Sequence, residues 1–289
     1  NIFTGFDAAL EVGNSSDVIV LENTFDGFVV PEDSGVPVAL TTALQVTGNT
    51  VIADEQTVLV EGNTFSNNSI GSVSSFNRRN SIVLIERVQA NLFRNRFIGN
   101  TAGAVITIDH WINEISVPSA TDYVTYPVNI YSSVFQDNNL FGPVINLFQG
   151  RQFRFINNTV VNHTLTSNVV GAIILVAGPN SNFAQRAGHQ IDAVNNLFFN
   201  NIAPVGVFSD STQNGQFIEC NSISGGTDNG LRTNWFIPGS IQGGDCGTAI
   251  SGNGNILTPL NIGDQQAITD FEEARFFQDF DPENPYRLM

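Results

Sequence analysis

The sequence predicts an all-β chain: a right-handed single-stranded parallel β-helix, or solenoid, ending in a short C-terminal helix or tail. Three observations predict it. A unit of the form N-x-[F/V]-x-x-N recurs along most of the chain, and short β-branched runs precede its copies. The dipeptide Asn-Gly, the strongest short hairpin signal, occurs only at 214-215, 229-230 and 253-254. An antiparallel β-sandwich with Asn-rich turns would need such turns between its strand pairs, so the pattern favours the coil.

The repeat comes first. Full copies are Asn63-Thr-Phe65-Ser-Asn-Asn68, Asn95-Arg-Phe97-Ile-Gly-Asn100 and Asn196-Leu-Phe198-Phe-Asn-Asn201. Partial copies are Asn1-Ile-Phe3, Asn23-Thr-Phe25, Asn49-Thr-Val51, Ser133-Val-Phe135 with Asn138, Asn158-Thr-Val160 and Asn221-Ser-Ile223. Runs such as Val18-Ile-Val-Leu21, Val58-Leu-Val60, Ile82-Val-Leu-Ile85 and Ile191-Asp-Ala-Val194 are too short for helices and read as the strands before these copies. Several copies are followed by a small residue and another apolar pair, as in Gly103-Ala-Val-Ile106, Gly142-Pro-Val-Ile145 and Gly171-Ala-Ile-Ile174. Each rung therefore holds at least two strands.

Short strands that cannot each bury both faces must stack on their neighbours and hydrogen-bond rung to rung. Within N-x-F the two side chains are two positions apart and point the same way, into the coil. Phe then stacks on Phe, and Asn on Asn. A buried amide can bond its own turn and the rung beside it, which removes a desolvation penalty of a few kcal/mol. Asn also tolerates the left-handed backbone that tight corners use. The expected ladder residues are Asn63, Phe65, Asn68, Asn95, Phe97, Asn100, Phe135, Asn138, Asn196, Phe198 and Asn201.

The expected organisation is a parallel coil over residues 1–268, with inserted loops near 109–127 and 178–189, and a capping or docking segment over 269–289. Thr269-Asp-Phe-Glu272 is a capping-box pattern opening an amphipathic stretch to Phe280. A helix there would cover an open end of the coil. The first repeat unit begins at Asn1 with no amphipathic segment before it, which predicts either a larger parent chain or head-to-tail self-association. In the second case Phe3 and Phe6 would meet Phe271, Phe276, Phe277 and Phe280 of another copy.

Composition agrees with a coil whose polar surface relies on hydrogen bonds. Thirty-five residues are Asn and 26 are Gly, while 13% are charged, about half the usual globular share. All 11 cationic residues are Arg, which excludes lysine-based catalysis. A net charge of -16 makes nucleic acid and anionic membrane surfaces poor partners and leaves cations, glycans or proteins. No apolar run is long enough for a membrane span.

Cys220 and Cys246, both in Gly/Ser-rich stretches, fit one disulfide in an oxidising compartment; the competing reading is two buried thiols. The first residue is Asn rather than Met, so a leader removed upstream is expected. Sequons at Asn14, Asn67, Asn157 and Asn162 are N-glycosylation candidates on a eukaryotic secretory route, although so Asn-rich a chain generates sequons by accident.

The FxxN copies (Phe65 to Asn68, Phe97 to Asn100, Phe135 to Asn138, Phe155 to Asn158, Phe198 to Asn201), with G-A-[IV]-[IV] tetrads, resemble the repeats of polymorphic outer-membrane proteins. More broadly, residues 1–225 are similar to pectate-lyase-like right-handed β-helix repeat proteins. The resemblance implies that fold; its members include surface adhesins, passenger domains and polysaccharide-active enzymes, and fold does not choose among them. One stretch, Thr227-Asp228-Asn-Gly230 with Gly244-Asp245-Cys246 and Ala249-Ile250-Ser251, resembles polygalacturonase motifs, whose carboxylates serve as acid and base. Gly244 stands where that family has a second aspartate, and its Gly-His-Gly and Arg-Ile-Lys motifs are absent, so a disulfide-closed loop explains these residues better.

A pectate-lyase-like site would need clustered carboxylates for calcium beside a base. The acids Asp54-Glu55, Asp109, Asp122, Asp192 and Asp210 are scattered along the sequence. Asp109-His110-Trp111, where a strand enters an insertion, offers groups for a sugar, but a loop-anchoring Trp explains it as simply. His163 fills the last Asn slot of its rung and reads as a structural substitute. No metal-ligand spacing and no cofactor motif is present. The expectation is an extracellular or cell-surface structural or adhesive protein without catalytic residues, as filament subunit or matrix component. The alternative is a polysaccharide-active enzyme or a carbohydrate-binding module.

Overall fold

A computed structural model describes residues 1–5, 10–13, 17–29, 42–48, 57–70, 80–109, 127–148, 152–166, 172–177, 190–199, 201, 206–211, 230–232, 235–237 and 256–257. Among these residues every regular element is a β-strand. The expected C-terminal helix, the insertions and both cysteines lie outside them.

The strands form four sheets. The first holds Asp17–Leu21, Thr57–Glu61, Gln89–Phe93, Val128–Tyr131, Gln152–Ile156, Gln190–Val194 and Gly230–Arg232. The second carries the N-x-F units: Ile2–Thr4, Thr24–Asp26, Thr64–Ser66, Arg96–Ile98, Val134–Gln136, Thr159–Val161, Leu197–Phe199, Trp235–Ile237 and Ile256–Leu257. The third is short: Ser69–Ile70, Thr101–Ala102, Asn139–Leu140 and Thr164–Leu165. The fourth holds Leu10–Gly13, Leu44–Thr47, Ser81–Glu86, Ala104–Asp109, Ile145–Phe148, Ala172–Ala177 and Gly206–Ser211.

From residue 57 to residue 177 the chain visits the sheets in the same cyclic order, first, second, third, fourth, three times and then once more. Each strand pairs in parallel with the equivalent strand of the next repeat; Thr64–Ser66, for example, lies between Thr24–Asp26 and Arg96–Ile98. This is an all-β arrangement of stacked parallel sheets, compatible with a parallel β-helix. A complete repeat has four strands, more than the minimum of two that the sequence pattern required. The run Ile82–Ile85 belongs to the fourth sheet, and Gln89–Phe93 is the strand that leads into Asn95.

Corners follow one rule. Among the described residues, wherever the chain passes from the first sheet to the second, or from the second to the third, one residue takes the left-handed conformation and the next points inward. Glu22, Gly62, Arg94, Ser132, Asn157 and Asn195 serve at the first corner, and Gly27, Asn67, Gly99, Asp137 and Asn162 at the second, with φ between 51° and 69°. The inward residues that follow are Asn23, Asn63, Asn95, Ser133, Asn158 and Asn196, then Phe28, Asn68, Asn100, Asn138 and His163. This corrects the expectation that the ladder asparagines themselves adopt the left-handed state. That strain, about 1–2 kcal/mol for an L-residue, falls on a residue of nearly any chemistry just outside the ladder.

The core follows from period-two alternation. Val58 and Val60, Ala90 and Leu92, and Val128 and Ile130 are buried on the first sheet. On the second, Phe3, Phe25, Phe65, Phe97 and Phe135 form one column with ring centroids 4.7–4.9 Å apart and interplanar angles of 8° or less. That spacing is the inter-strand distance itself. At the next repeat the column position is Val160, and Phe155 of the first sheet leans in, 5.9 Å from Phe135 and 6.2 Å from Phe198. The apparent copy from Phe155 to Asn158 is thus one slot early relative to its fellows. Phe155 pairs with Ile130 and Ala193 on the first sheet, and Asn158 takes a first-corner position.

Candidate functional site

Most of the polar chemistry buried in the described residues is committed to two ladders. At the first corner, the Asn1 amide donates to Asn23 Oδ1 at 3.0 Å, and Asn63 Oδ1 accepts from both the backbone N–H and the side-chain amide of Asn23, at 2.9 and 3.1 Å. Asn95 Oδ1 receives the same pair of bonds from Asn63, and Asn196 Oδ1 from Asn158. Sequence separations along this ladder are 22, 40, 32, 38, 25 and 38 residues, so the bonds keep register while insertions of very different length are absorbed elsewhere. Ser133 is the one substitution; its hydroxyl accepts from Asn95 N–H at 3.2 Å.

The second ladder runs from Phe28 N–H through Asn68, Asn100 and Asn138 to His163 and Asn201. Each amide Nδ2 also donates to the carbonyl of a residue in the preceding repeat: Asn68 to Phe25, Asn100 to Phe65, Asn138 to Phe97, Asn201 to Val160. His163 substitutes only in part. Its Nδ1 accepts from Asn138 N–H at 3.3 Å, whereas its buried Nε2 has no hydrogen-bond partner. Burial is the main cause that pushes its pKa down to about 4, with the Phe135 backbone pulling weakly upward.

A different cluster is a better candidate for chemistry: the side of the fourth sheet turned away from the core. Val83, Ile85, Ile106, Ile108, Ile145 and Leu147 face the core. Their alternates, Leu84, Thr107, Asp109 and Asn146, are nevertheless buried, so Ser81–Glu86 and Ala104–Asp109 are covered on both sides. Such strands read in sequence as unbroken apolar runs, and Ile82-Val-Leu-Ile85 does. Here Glu86 pairs in register with Asp109, and Thr107 with Asn146. The Glu86 carboxylate accepts from Thr47 Oγ1 at 3.1 Å and from Gln45 Nε2 at 3.5 Å. Thr107 Oγ1 and both amide atoms of Asn146 are buried without a hydrogen-bond partner. Two register-paired carboxylates beside an amide and a hydroxyl are groups a polyol could bond, although Thr107, Asp109 and Asn146 are covered and only Glu86 is partly exposed. Asp109 was singled out from sequence. Glu86, Thr107 and Asn146 were not, because only strand register brings them to it.

Three sequon asparagines are described. Asn67, Asn157 and Asn162 are all left-handed corner residues, the first two exposed. Asn67 Nδ2 donates to Asp26 at 3.0 Å, and Asn157 accepts from Asn195 Nδ2 at 2.6 Å. The corner rule explains why sequons gather there. A left-handed Asn, an inward ladder residue and a β-favouring Ser or Thr at or beside the start of the next strand spell N-x-[S/T]. Phe3 is partly buried against Phe25 at the outermost strand of its sheet. Phe6, Asn14, Cys220, Cys246, Asp228, Asp245, Phe271, Phe276, Phe277 and Phe280 lie outside the described residues. Among the described residues no group of three or more His, Cys, Asp or Glu is placed to hold a metal ion, and no helix is long and apolar enough to cross a membrane.

Comparison with family models, curated proteins and solved structures finds no match to this chain.

Proposed function

We propose that the chain is a right-handed single-stranded parallel β-helix of the pectate-lyase-like kind, acting outside the cell as a structural or adhesive element. The observation that carries this reading is the pair of asparagine ladders: among the described residues, most buried polar side chains bond repeat to repeat. The cyclic strand order supports the coil, and the right hand follows from the near-universal preference of parallel crossovers. Lengthening such a coil needs only another parallel strand at an outer edge such as Ile2–Thr4, whether from a larger parent chain or a second copy docked head to tail. Glycans on the corner asparagines, and a disulfide between Cys220 and Cys246, fit an extracellular setting.

The second reading, a polysaccharide-active enzyme or carbohydrate-binding module, rests on the patch of Glu86, Thr107, Asp109 and Asn146. A panel of pectin, alginate and glucuronan separates the two. The structural reading expects no reducing ends and no unsaturated product. Product formation abolished by Asp109→Ala or Glu86→Ala would replace it with the enzymatic one.

A further inference from the structure

We infer that His163 makes the second ladder an acid-sensitive joint, at which protonation loosens the repeat containing Val134–Asn138 from the two that follow. Every other described member of this ladder beyond Phe28 is an amide, which cannot titrate. His163 occupies the same slot, fully buried, between Asn138 on one side and Asn201 on the other. Its Nδ1 must stay unprotonated to accept the Asn138 N–H. The neutral ring therefore carries its proton on Nε2, which is the unpartnered atom. A second proton has only Nδ1 to go to. It would set two donors against each other at 3.3 Å and place a cation in an apolar interior.

No carboxylate among the described residues is positioned to receive that charge. Asp137, the nearest in sequence on the preceding repeat, is an exposed corner residue. Thr159–Val161, Thr164–Leu165 and Leu197–Phe199 contribute no charged residue at all. Among the described residues the ladder thus has one titratable link, 25 residues from Asn138.

The direction follows from linkage. An unfolded histidine takes its proton near pH 6.5, whereas in the folded chain it does so near pH 4. Between those values the unfolded state binds more protons, so the joint is fully stable above pH 6.5 and weakens as pH falls toward 4. A gap of that size corresponds to roughly 300-fold in the local opening equilibrium.

Amide hydrogen exchange of the full chain, followed from pH 7 to pH 4.5 and corrected for intrinsic exchange rates, reads this directly. Protection at Asn138, His163 and their neighbours should fall by one to two orders of magnitude more than at Asn68 and Asn100, and His163→Asn should abolish the difference. Equal losses at both places, or an unchanged profile in His163→Asn, would overturn the inference. NMR titration of the three histidines of the wild-type chain gives a check that needs no variant. One imidazole that stays neutral to near pH 4 is expected, and three titrating near 6.5 would equally overturn it.

Discussion

Replacing Asn100 by Ala removes the centre of the second ladder. In the folded chain Asn100 Oδ1 accepts from Asn68 N–H at 3.1 Å and Asn68 Nδ2 at 2.9 Å, and its own Nδ2 donates to the Phe65 carbonyl at 3.0 Å and to Asn138 Oδ1 at 2.8 Å. Some of these losses are cushioned. Asn68 Nδ2 keeps the Phe25 carbonyl, and Asn138 Oδ1 keeps the Asn100 N–H. The Asn68 N–H loses its acceptor and the Phe65 carbonyl loses this donor, both in the interior. At about 1–3 kcal/mol for each orphaned group, the substitution should cost about 4 kcal/mol. Guanidinium unfolding followed by circular dichroism measures it, with Asn139→Ala, an exposed strand position in the next repeat, as the control. Asn68→Ala combined with Asn100→Ala should cost less than the sum of the two singles, since they remove a shared bond. If Asn100→Ala fell within about 0.5 kcal/mol of Asn139→Ala, the ladder would not be what holds the repeats together.

Phe97→Ala, which empties a position with stacked rings 4.9 Å away on either side, should cost roughly 3–5 kcal/mol in the same unfolding experiment. Val160→Phe restores the repeat consensus yet should destabilise by about 1–3 kcal/mol, because Phe155 already leans into that space; a gain on calorimetry would mean the column is continuous there after all. Ser133→Asn should raise stability by about 1 kcal/mol, because an amide oxygen in that slot can accept from both the backbone N–H and the side chain of Asn95, whereas the hydroxyl takes only the first.

The Asn and Phe ladder positions were legible in the sequence because one constraint acts on them: a side chain stacked on its own kind at every repeat is nearly forced to be the same residue each time. Positions outside the stack are free of it, which is why Glu22, Arg94, Ser132 and Asp137 share a backbone state with no common chemistry and gave no motif. The slot shift at Phe155 was hidden for a related reason. Phe and Asn at a spacing of three look the same whether they bracket the second corner or the first, and only pairing of Phe155 with Ile130 fixes which. The patch of Glu86, Thr107, Asp109 and Asn146 draws on three repeats, so no local window contains it. Asp109 reads as one of several scattered acids because register, not sequence spacing, makes Glu86 its neighbour.

The central claim is that successive repeats lie side by side, in parallel and in the stated register, and cross-linking tests it most directly. Ser66 and Ile98 are register partners on the second sheet, as are Ile98 and Gln136, and none of the three faces the core. Adjacent strands place such partners about 4.8 Å apart, within disulfide reach, while positions two strands apart are about twice as far. In a background with Cys220 and Cys246 replaced by Ser, paired cysteines at 66 and 98, and at 98 and 136, should oxidise within the monomer. A pair at 66 and 136 should not. Ready closure of the 66 and 136 pair, or failure of both neighbouring pairs in folded protein, would contradict the stacking of these repeats.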